Sequence, residues 1–239
     1  MNKLYVFSGA GLSADSGVPT FRSDDGLWKS QDFDKICNFN TWLDNYDAVH
    51  KFYSDRRVDL GTVKPNSMHK VLADLQIKYG TDVVELWTQN IDDLLERSGA
   101  KQVNHIHGVL TEVYCTNCYT IIDIGYSHEI PDCSCGCKII KPNVVFFNQN
   151  APKYSDLLTT FHKARADKNS TILIIGTSGS VVPFEWIVGK YKEPSFKILC
   201  NKDPIDFDMS VFDMCFMDNA DKVSENLKLA LTDRIEGIL

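Results

Sequence analysis

The chain has 239 residues, a formal net charge of −7 and an apolar content of 44%. That length fits one large α/β domain with a modest insertion, or two small domains, and the apolar content supports a sizeable core. The acidic balance argues against a general nucleic-acid binder. No apolar run approaches the roughly 18 residues that a membrane span needs, and the N-terminal segment does not resemble a signal peptide, so we expect a cytoplasmic protein.

Short apolar runs alternate with amphipathic stretches along the chain. This alternation predicts an α/β fold with a mostly parallel sheet and helices on both faces. The predicted strands are 4–7, 83–87, 171–175, 196–200 and 214–217, and the clearest predicted helices are 67–78 and 91–98. Two regions break this rhythm and are expected to be insertions. They are the aromatic and charged stretch 28–59, which looks helical, and the cysteine-rich stretch 115–141.

The turn Gly9-Ala10-Gly11 directly follows the first predicted strand. Glycines at such a turn let the backbone approach a pyrophosphate at a helix N-terminus. Many α/β proteins turn on glycines without binding a nucleotide, and the third glycine of the dehydrogenase fingerprint is missing. The turn therefore argues against hydride transfer and, taken alone, leaves nucleotide binding open.

The longer string GAGLSADSGVPTFRSDDGLW, residues 9–28, resembles the nucleotide-binding signature of the sirtuins, the NAD-dependent protein deacylases. Further motifs follow in that family's order: TQNID at 88–92, HG at 107–108, a Cys-x-x-Cys pair, KPNVVFF at 141–147, GTS at 176–178 and Asn201. The resemblance covers nearly the whole chain. It implies a Rossmann-like NAD-binding domain (1–27, 71–110 and 141–239) and a small domain made of a helical module (28–70) and a zinc module (111–140).

The resemblance also implies a reaction. The acyl oxygen of a modified lysine attacks the nicotinamide ribose, nicotinamide leaves, and a histidine then activates a ribose hydroxyl, so that the acyl group ends on ADP-ribose. His107 matches that histidine, and an imidazole with an ordinary pKa of about 6.5 suits general-base work. An isolated histidine is more often a buried structural residue, but the His-Gly context after TQNID favours the base. His105 lacks the following glycine and is expected to be a neighbour.

Asn90 and Asp92 match the polar pair beneath the nicotinamide ribose, where an amide positions hydroxyls and a carboxylate accepts from the carboxamide. Either residue could also cap the helix predicted at 91–98. In the family pattern Phe21 shields the reactive carbon. The residues that the resemblance assigns to NAD binding are Gly9, Ala10, Gly11, Ser13, Ala14, Gly17, Pro19, Phe21, Arg22, Trp28, Gln89, Asn90, Ile91, Asp92, Gly176, Thr177, Ser178, Asn201 and Ala220.

Five of the eight cysteines lie between Cys115 and Cys137. Clustered cysteines in a larger chain that is expected in reducing cytosol indicate metal rather than disulfides, and two pairs at this separation predict one structural zinc ion without a catalytic role. Cys115 and Cys118 form the first pair. Cys133, Cys135 and Cys137 compete for the other two places, because Cys135 precedes a glycine as in the family and Cys137 has the better reach from Cys133. Cys37, Cys200 and Cys215 are expected to be ordinary core residues.

The helical insertion carries Tyr53 and Arg56, which resemble the Tyr-x-x-Arg motif of desuccinylase-like sirtuins. Residues three apart share a helix face, and an arginine fork with a tyrosine hydroxyl can bind a carboxylate. The resemblance therefore predicts a preference for succinyl or malonyl over acetyl groups, with Ala14 leaving room for a longer acyl chain. The alternative is a solvated helix face on which Arg56 or Arg57 pairs with Asp55 or Asp59.

One segment departs from the family pattern. Val145 and Phe147 match the strand that pairs with the substrate peptide, but Asn148 and Gln149 replace the family's Gly-Glu. The expected partners are acylated lysine side chains, with no nucleic acid and no membrane, and a monomer is favoured among the open oligomeric states. Two rival functions stay open: an NAD-consuming hydrolase or ADP-ribosyltransferase on the same fold, and a non-catalytic NAD sensor.

Overall fold

The computed structural model describes residues 1–20 and 33–239. Its strands are β1 (Lys3–Ser8), β2 (Val84–Thr88), β3 (Val103–His105), β4 (Gly108–Cys115), β5 (Ile121–Asp123), β6 (Ile140–Val144), β7 (Ser170–Ile175), β8 (Phe196–Cys200) and β9 (Met214–Phe216). Its helices are α1 (Gly11–Ala14), α2 (Phe33–Ile36), α3 (Tyr46–Thr62), α4 (Ser67–Tyr79), α5 (Leu94–Arg97), α6 (Tyr154–Ala166), α7 (Phe184–Val188) and α8 (Ser224–Glu236), with a short 3₁₀ turn at Met209–Val211. No helix in these two stretches is both long enough and apolar enough to cross a bilayer.

The larger sheet has six parallel strands in the order β3-β2-β1-β7-β8-β9. Parallel sheets need cover on both faces, and every residue of β7 is buried accordingly. One face packs against aliphatic residues of α4 and α8, and the other against aromatic residues of α6 and α7. This arrangement confirms the predicted α/β class.

The strand order creates a switch point beside β1. From β1 the chain moves outward to β2 and β3, and it later returns to the opposite side of β1 with β7, followed by β8 and β9. In open α/β sheets of this kind, ligands bind outside the carboxyl ends of the strands at such a point. The turns that follow β1, β2, β7 and β8 are therefore the place to look for a site.

A second sheet has three antiparallel strands in the order β5-β4-β6. Helix α3 covers β4 and β6, where Phe52 and Tyr53 join a buried cluster with Leu110 and Phe146. The Arg57 side chain is fully buried and donates from Nε to the Ser127 carbonyl, at 3.1 Å. This contact ties α3 to the cysteine-rich stretch, at the loop after β5.

The five predicted strands all lie in the parallel sheet, and α4 confirms the helix predicted at 67–78. The sequence analysis missed β3, which has only three residues and a half-buried pattern. The helix predicted at 91–98 is shorter and runs over Leu94–Arg97, because the Ile91 carbonyl accepts a hydrogen bond from Leu110 N–H at 2.8 Å and ties that residue to β4. Cys215 was predicted to be buried and is instead exposed on the edge strand β9.

Candidate active site

Polar side chains gather at the carboxyl edge of the parallel sheet. The glycine turn follows β1, Gln89 follows β2, the Gly176-Thr177-Ser178 turn follows β7, and Asn201 follows β8. The Gln89 side-chain amide donates to Thr177 Oγ1 at 3.1 Å, which links the two sides of the switch point. Residues from four separate strand ends, all predicted to bind NAD, therefore meet at one edge.

The glycines of the first turn have a packing reason of their own. A Cβ on Gly9 would lie 2.7 Å from Thr177 Cβ, and one on Gly11 would lie 2.7 Å from Gly176 Cα. Gly176 itself has a φ of +65°, which favours glycine. The turns after β1 and β7 are thus in backbone contact, and the glycines are needed for that contact before any nucleotide is considered.

Ser13 is the centre of a buried hydrogen-bond network. Its hydroxyl donates to Asp92 Oδ2 at 2.8 Å and accepts from Asn90 Nδ2 at 3.1 Å. It also lies 3.3 Å from His69 Nε2. A hydroxyl has one proton to donate, so the His69 nitrogen must be the donor in that contact. Burial lowers the pKa of His69 to about 4, which keeps this imidazole neutral.

The sequence analysis did not select His69. Its only local signal was a helix start, because Asn66 caps α4 and His69 occupies the third helical position of that capping box. The contact with Ser13 spans 56 residues of sequence and follows from packing of α4 beneath the glycine turn. Both the cap and the site therefore use the same side chain.

Both carboxylate oxygens of Asp92 are hydrogen-bonded. Its Oδ2 atom accepts from Ser13, while Oδ1 accepts at 3.2 Å from the backbone N–H of Leu94, the first residue of α5. Burial raises the pKa of Asp92, while the Ser13 hydroxyl and the Leu94 N–H oppose that rise. A buried carboxyl with both oxygens engaged has a fixed orientation.

His107 lies where the chain leaves the parallel sheet and enters β4. Its Nδ1 atom is 3.1 Å from the Gln89 carbonyl oxygen, which can only accept, so Nδ1 carries the proton in the neutral ring. Its Nε2 atom, 2.8 Å from the Tyr154 hydroxyl, is then an acceptor. Burial lowers the pKa of His107, and the Gln89 carbonyl partly opposes this effect. The ring is thus neutral near pH 7, with its free electron pair on Nε2.

Gly108 explains why a glycine follows His107. Its φ is +84°, and a Cβ at this position would lie 1.9 Å from the Asn143 carbonyl oxygen. The same close approach lets Val145 N–H donate to the His107 carbonyl at 2.9 Å. The backbone of His107 is therefore joined directly to the segment that was predicted to pair with substrate.

His105 has a different environment, although it lies only two residues away. Its Nδ1 atom is 2.8 Å from the Asn90 carbonyl oxygen, and its Nε2 atom is 2.8 Å from Glu96 Oε1. Burial disfavours protonation of His105, but Glu96 and the Asn90 carbonyl outweigh it and raise the pKa. Both ring nitrogens of His105 are therefore engaged by protein groups, whereas His107 faces a hydroxyl.

The segment after β6 is held on one edge by the helical module. Phe147 N–H donates to the Cys37 carbonyl at 2.8 Å, and the Phe147 carbonyl accepts from Phe39 N–H at 2.9 Å. Asn148, which replaces the family glycine, has a φ of +63°. Asparagine tolerates this left-handed conformation better than other non-glycine residues, so the turn is kept despite the substitution.

Gln149, which replaces the family glutamate, folds back on the same segment. Its Oε1 atom accepts from Phe146 N–H, and its own N–H donates to the Phe146 carbonyl, both at 3.1 Å. The Phe147 side chain is exposed. The change from the family glutamate to Gln149 therefore removes one negative charge from this segment.

Tyr53 and Arg56 lie on the face of α3 that meets this segment. The Tyr53 ring stacks on Phe146, with ring centroids 5.5 Å apart, and its hydroxyl is 3.4 Å from Cys37 Sγ. The Arg56 guanidinium lies 3.3 Å from the centroid of the Phe52 ring, and its Nη1 donates to the Phe52 carbonyl.

The neighbouring charges on α3 are used elsewhere. Asp55 pairs with Lys51 at 2.8 Å, and Arg57 donates to Ser54 and Ser127. The alternative of a solvated face with Arg57 paired to an aspartate is therefore wrong, because Arg57 is buried beneath the cysteine module.

Four cysteine sulfurs meet at the far end of β4. The Sγ atoms of Cys115 and Cys135 are 3.6 Å apart, those of Cys118 and Cys133 are 3.5 Å apart, and all four lie within 4.8 Å of one another. Four Zn–S bonds of about 2.3 Å in a tetrahedron place the sulfurs about 3.8 Å apart. The group therefore fits one zinc ion with a closed shell.

Cys137 is not part of this group and is corrected as a candidate ligand. Its Sγ atom lies 3.8 Å from Thr116 Oγ1 and 3.6 Å from the Ile139 carbonyl oxygen. A turn closed by Gly136 N–H and the Cys133 carbonyl brings Cys135 back toward Cys115. The glycine after Cys135, which matches the family pattern, thus indicates the ligand better than the reach of Cys137 from Cys133.

The remaining predicted residues are more scattered. Ser178 bonds to Ser180, the Asn201 side chain bonds to the Asp203 carbonyl, and Ala220 is buried in the aliphatic core. Ala14, Gly17 and Pro19 are exposed. Phe21, Arg22 and Trp28 lie outside the described residues. Tyr154, in contact with His107, was not predicted, because it reaches the site from α6 and no local motif indicates it.

Known proteins are similar to this chain over most of its length. A family model described as the Sir2 family matches residues 9–183. An NAD-dependent protein deacylase of Helicobacter hepaticus is 45% identical over 206 residues, covering 79% of this chain and 79% of that protein. One from Campylobacter jejuni is 41% identical over 203 residues, covering 84% and 83%. A crystal structure of a Sir2 homologue in complex with NAD has a TM-score of 0.81 at 28% identity, covering 98% of this chain and 90% of that one.

Proposed function

The chain belongs to the Sir2 family and is an NAD-dependent protein-lysine deacylase, and we propose that His107 is its general base and that it prefers acidic acyl groups. When bound, NAD supplies the nicotinamide leaving group and the ribose hydroxyl that takes up the acyl group. The protein itself binds and orients NAD and the substrate and supplies one proton acceptor.

The observation that carries the assignment of the base is the hydrogen bonding of His107. Its Nδ1–H is committed to the Gln89 carbonyl, which leaves Nε2 as the proton acceptor. Burial keeps the pKa below its ordinary value, so the neutral, accepting form is present near pH 7. His105, by contrast, is paired with Glu96 and has no free acceptor atom.

The carboxyl edge of the parallel sheet fits a dinucleotide. The turns after β1 and β7 are in close contact through Gly9, Gly11 and Gly176, and Gln89 and Thr177 lie on either side of the switch point. Ser13, Asn90 and Asp92 form one network there. We propose that these residues hold NAD, together with the other residues assigned from the family pattern.

A preference for succinyl or malonyl groups is supported by the position of Tyr53 and Arg56. Through Phe146, the Tyr53 ring contacts the segment that carries Val145 and Phe147, the proposed partner of the substrate backbone. Lys141, whose nitrogen lies 3.4 Å from the Phe146 ring centroid, is buried, and burial lowers its pKa to about 7, so it is only partly charged near neutral pH. Burial raises the pKa of Cys37, and the hydrogen bond from Tyr53 and the nearby Arg56 guanidinium oppose this rise, so Tyr53 and Arg56 act on the same thiol.

The acyl preference is tested by kcat/KM for acetyl-, succinyl- and malonyl-lysine peptides in the wild type, Arg56→Met and Lys51→Met. Loss of one hydrogen bond to a charged group costs roughly 1.5–3 kcal/mol, so Arg56→Met should lower the succinyl-to-acetyl ratio about 10- to 100-fold. Lys51→Met removes an exposed cation from the same helix and is the matched control. A wild type that prefers acetyl, or a ratio unchanged in Arg56→Met, contradicts the proposal.

The same assay separates the rival functions. Nicotinamide release that requires an acylated peptide supports the deacylase, and release without any peptide supports an NAD hydrolase. NAD binding without turnover of any acyl peptide supports a sensor.

We further propose that Cys115, Cys118, Cys133 and Cys135 bind one structural zinc ion. The closed shell of four sulfurs leaves no position for a substrate. None of the eight cysteines forms a disulfide, which fits a reducing compartment such as the cytoplasm.

A further inference from the structure

The Tyr154 hydroxyl lies 2.8 Å from the Nε2 atom of His107, at the position where a substrate hydroxyl would have to be for proton transfer. Tyr154 is the first residue of α6 and lies 47 residues from His107 in sequence. None of the motifs discussed above includes it. This contact therefore adds a side chain to the site that the family pattern did not indicate.

The direction of this hydrogen bond follows from the other ring nitrogen. Because the Gln89 carbonyl fixes the proton on Nδ1, the neutral ring presents only an electron pair at Nε2, and Tyr154 must be the donor. A phenol donates well to an imidazole nitrogen. The hydroxyl therefore stabilises the neutral form of His107 and occupies its accepting atom at the same time.

The Tyr154 ring is supported on its far side by Trp186 of α7. The two ring centroids are 6.0 Å apart and the planes meet at 82°, an edge-to-face arrangement. Burial raises the pKa of the Tyr154 hydroxyl, so it remains protonated and able to donate. Among the described residues, no charged group shifts the pKa of His107, which burial lowers and the uncharged Gln89 carbonyl raises.

We propose that Tyr154 is a positioning residue that caps the Nε2 atom of His107 in the free enzyme and is exchanged for the ribose hydroxyl when NAD binds. The proposal rests on the function proposed above. In the free enzyme the tyrosine holds the imidazole in the productive tautomer and orientation. The hydrogen bond between Tyr154 and His107 must break before the ribose hydroxyl of NAD can bond to His107. The tyrosine therefore weakens NAD binding, but it also keeps the imidazole oriented before NAD arrives.

The expected size of the effect is that of one neutral hydrogen bond. Its net worth corresponds to about a 2- to 10-fold change in an equilibrium constant. Tyr154→Phe should therefore tighten NAD binding about 2- to 10-fold. It should also move the acidic limb of kcat/KM for NAD, which reports the free enzyme, upward by roughly 0.3 to 1 pH unit, while kcat stays within about twofold.

The test uses the full chain, with Tyr154→Phe and the control Tyr5→Phe. Tyr5 belongs to the same aromatic layer, in contact with Phe161, but its hydroxyl is not at the site. NAD affinity is measured by calorimetry, and the pKa of His107 in the free protein by NMR titration, with assignment from a His107→Gln sample. Kinetics with an acyl-lysine peptide give kcat and KM separately.

Tighter NAD binding together with a higher His107 pKa in Tyr154→Phe, and neither change in Tyr5→Phe, supports the cap. Unchanged or weaker NAD binding in a folded Tyr154→Phe variant overturns it. A tenfold or greater fall in kcat also overturns it, because the tyrosine would then be needed during the chemistry. If no acyl peptide is turned over by the wild type, the proposed deacylation fails, but calorimetry and NMR still decide the role of Tyr154.

Discussion

One strand, β4, joins two sites of opposite character. His107 immediately precedes its first residue, and Cys115 is its last. At the His107 end the contacts are directional hydrogen bonds to neutral groups, the Gln89 carbonyl and the Tyr154 hydroxyl. At the Cys115 end four sulfurs face each other in a closed group. Eight residues of strand place the two ends roughly 25 Å apart.

The comparison shows what each kind of chemistry requires of the chain. A structural metal needs only four ligands at the correct separations, and turns within the 21 residues from Cys115 to Cys135 supply them. The proposed base needs a defined tautomer, a lowered pKa and an acceptor atom. The Gln89 carbonyl sets the tautomer, burial lowers the pKa, and the acceptor is Nε2, which the Tyr154 hydroxyl contacts. The first site is local in sequence, and the second is assembled from distant elements.

The largest expected effect concerns the four-cysteine group at the Cys115 end of β4. Replacing Cys115 and Cys118 together with serine should abolish zinc binding and unfold the β5-β4 region. Metal binding and local folding are coupled, with apparent binding free energies of about 10–16 kcal/mol in zinc-finger peptides. Metal analysis should find one zinc ion per wild-type chain and none in the variant. Cys137→Ser is the matched control and should keep its zinc, since its sulfur lies outside the group. Zinc-free wild-type protein that is soluble and folded contradicts the assignment.

The next largest effect concerns His107, at the other end of β4. His107→Ala should lower turnover on the order of 10²–10⁴-fold, because the proton acceptor is lost. NAD affinity should be almost unchanged, since most of the binding residues lie elsewhere along the sheet edge. His105→Gln is the neighbouring control and should keep most of the activity. A His107→Ala variant with more than half of the wild-type turnover would refute the role of base.

A third variant tests the close contact between Gly108, the first residue of β4, and the Asn143 carbonyl. In Gly108→Ala, the new Cβ would meet the Asn143 carbonyl at 1.9 Å, and φ would remain at +84°. We expect a loss of about 2 kcal/mol or more in the free energy of unfolding, measured in urea, and a fall in kcat as His107 shifts. Gly80→Ala has a similar φ of +91° with no atom within 4 Å of its Cβ. It should show only the smaller conformational cost and normal kcat, and equal effects in the two variants would exclude the contact with Asn143 as the cause.

The sequence predicted most of the fold because its signals were local and strong. The five apolar runs and the capped helix at Ser67–Tyr79 can each be recognised from residues that are neighbours in the sequence. The site was predicted only where a motif is contiguous, as at Gln89–Asp92 and His107–Gly108. His69 and Tyr154 were missed because they contact the site through packing across 56 and 47 residues, which periodicity cannot reveal. Cys137 was included because spacing does not show which way a glycine turn directs a sulfur.

The smallest expected effect distinguishes His105 from His107. Glu96→Gln should destabilise the protein by about 1 kcal/mol or less, because the Glu96 side chain is 40% exposed and solvent screens its pairing with His105. The pKa of His105 is raised in the folded protein, so this stabilisation is fully present below the ordinary value of about 6.5 and disappears as the pH rises through the folded pKa. Urea unfolding should therefore separate the variant from the wild type near pH 6 and less so near pH 9, whereas Glu225→Gln, on the exposed start of α8, should show no such pH dependence. The acidic limb of activity should not move in Glu96→Gln, because it depends on His107, whose pKa is lowered by burial and whose ring does not contact Glu96. If the acidic limb of the activity profile shifts in Glu96→Gln, His105 takes part in the reaction. That result would contradict the different roles given to His105 and His107.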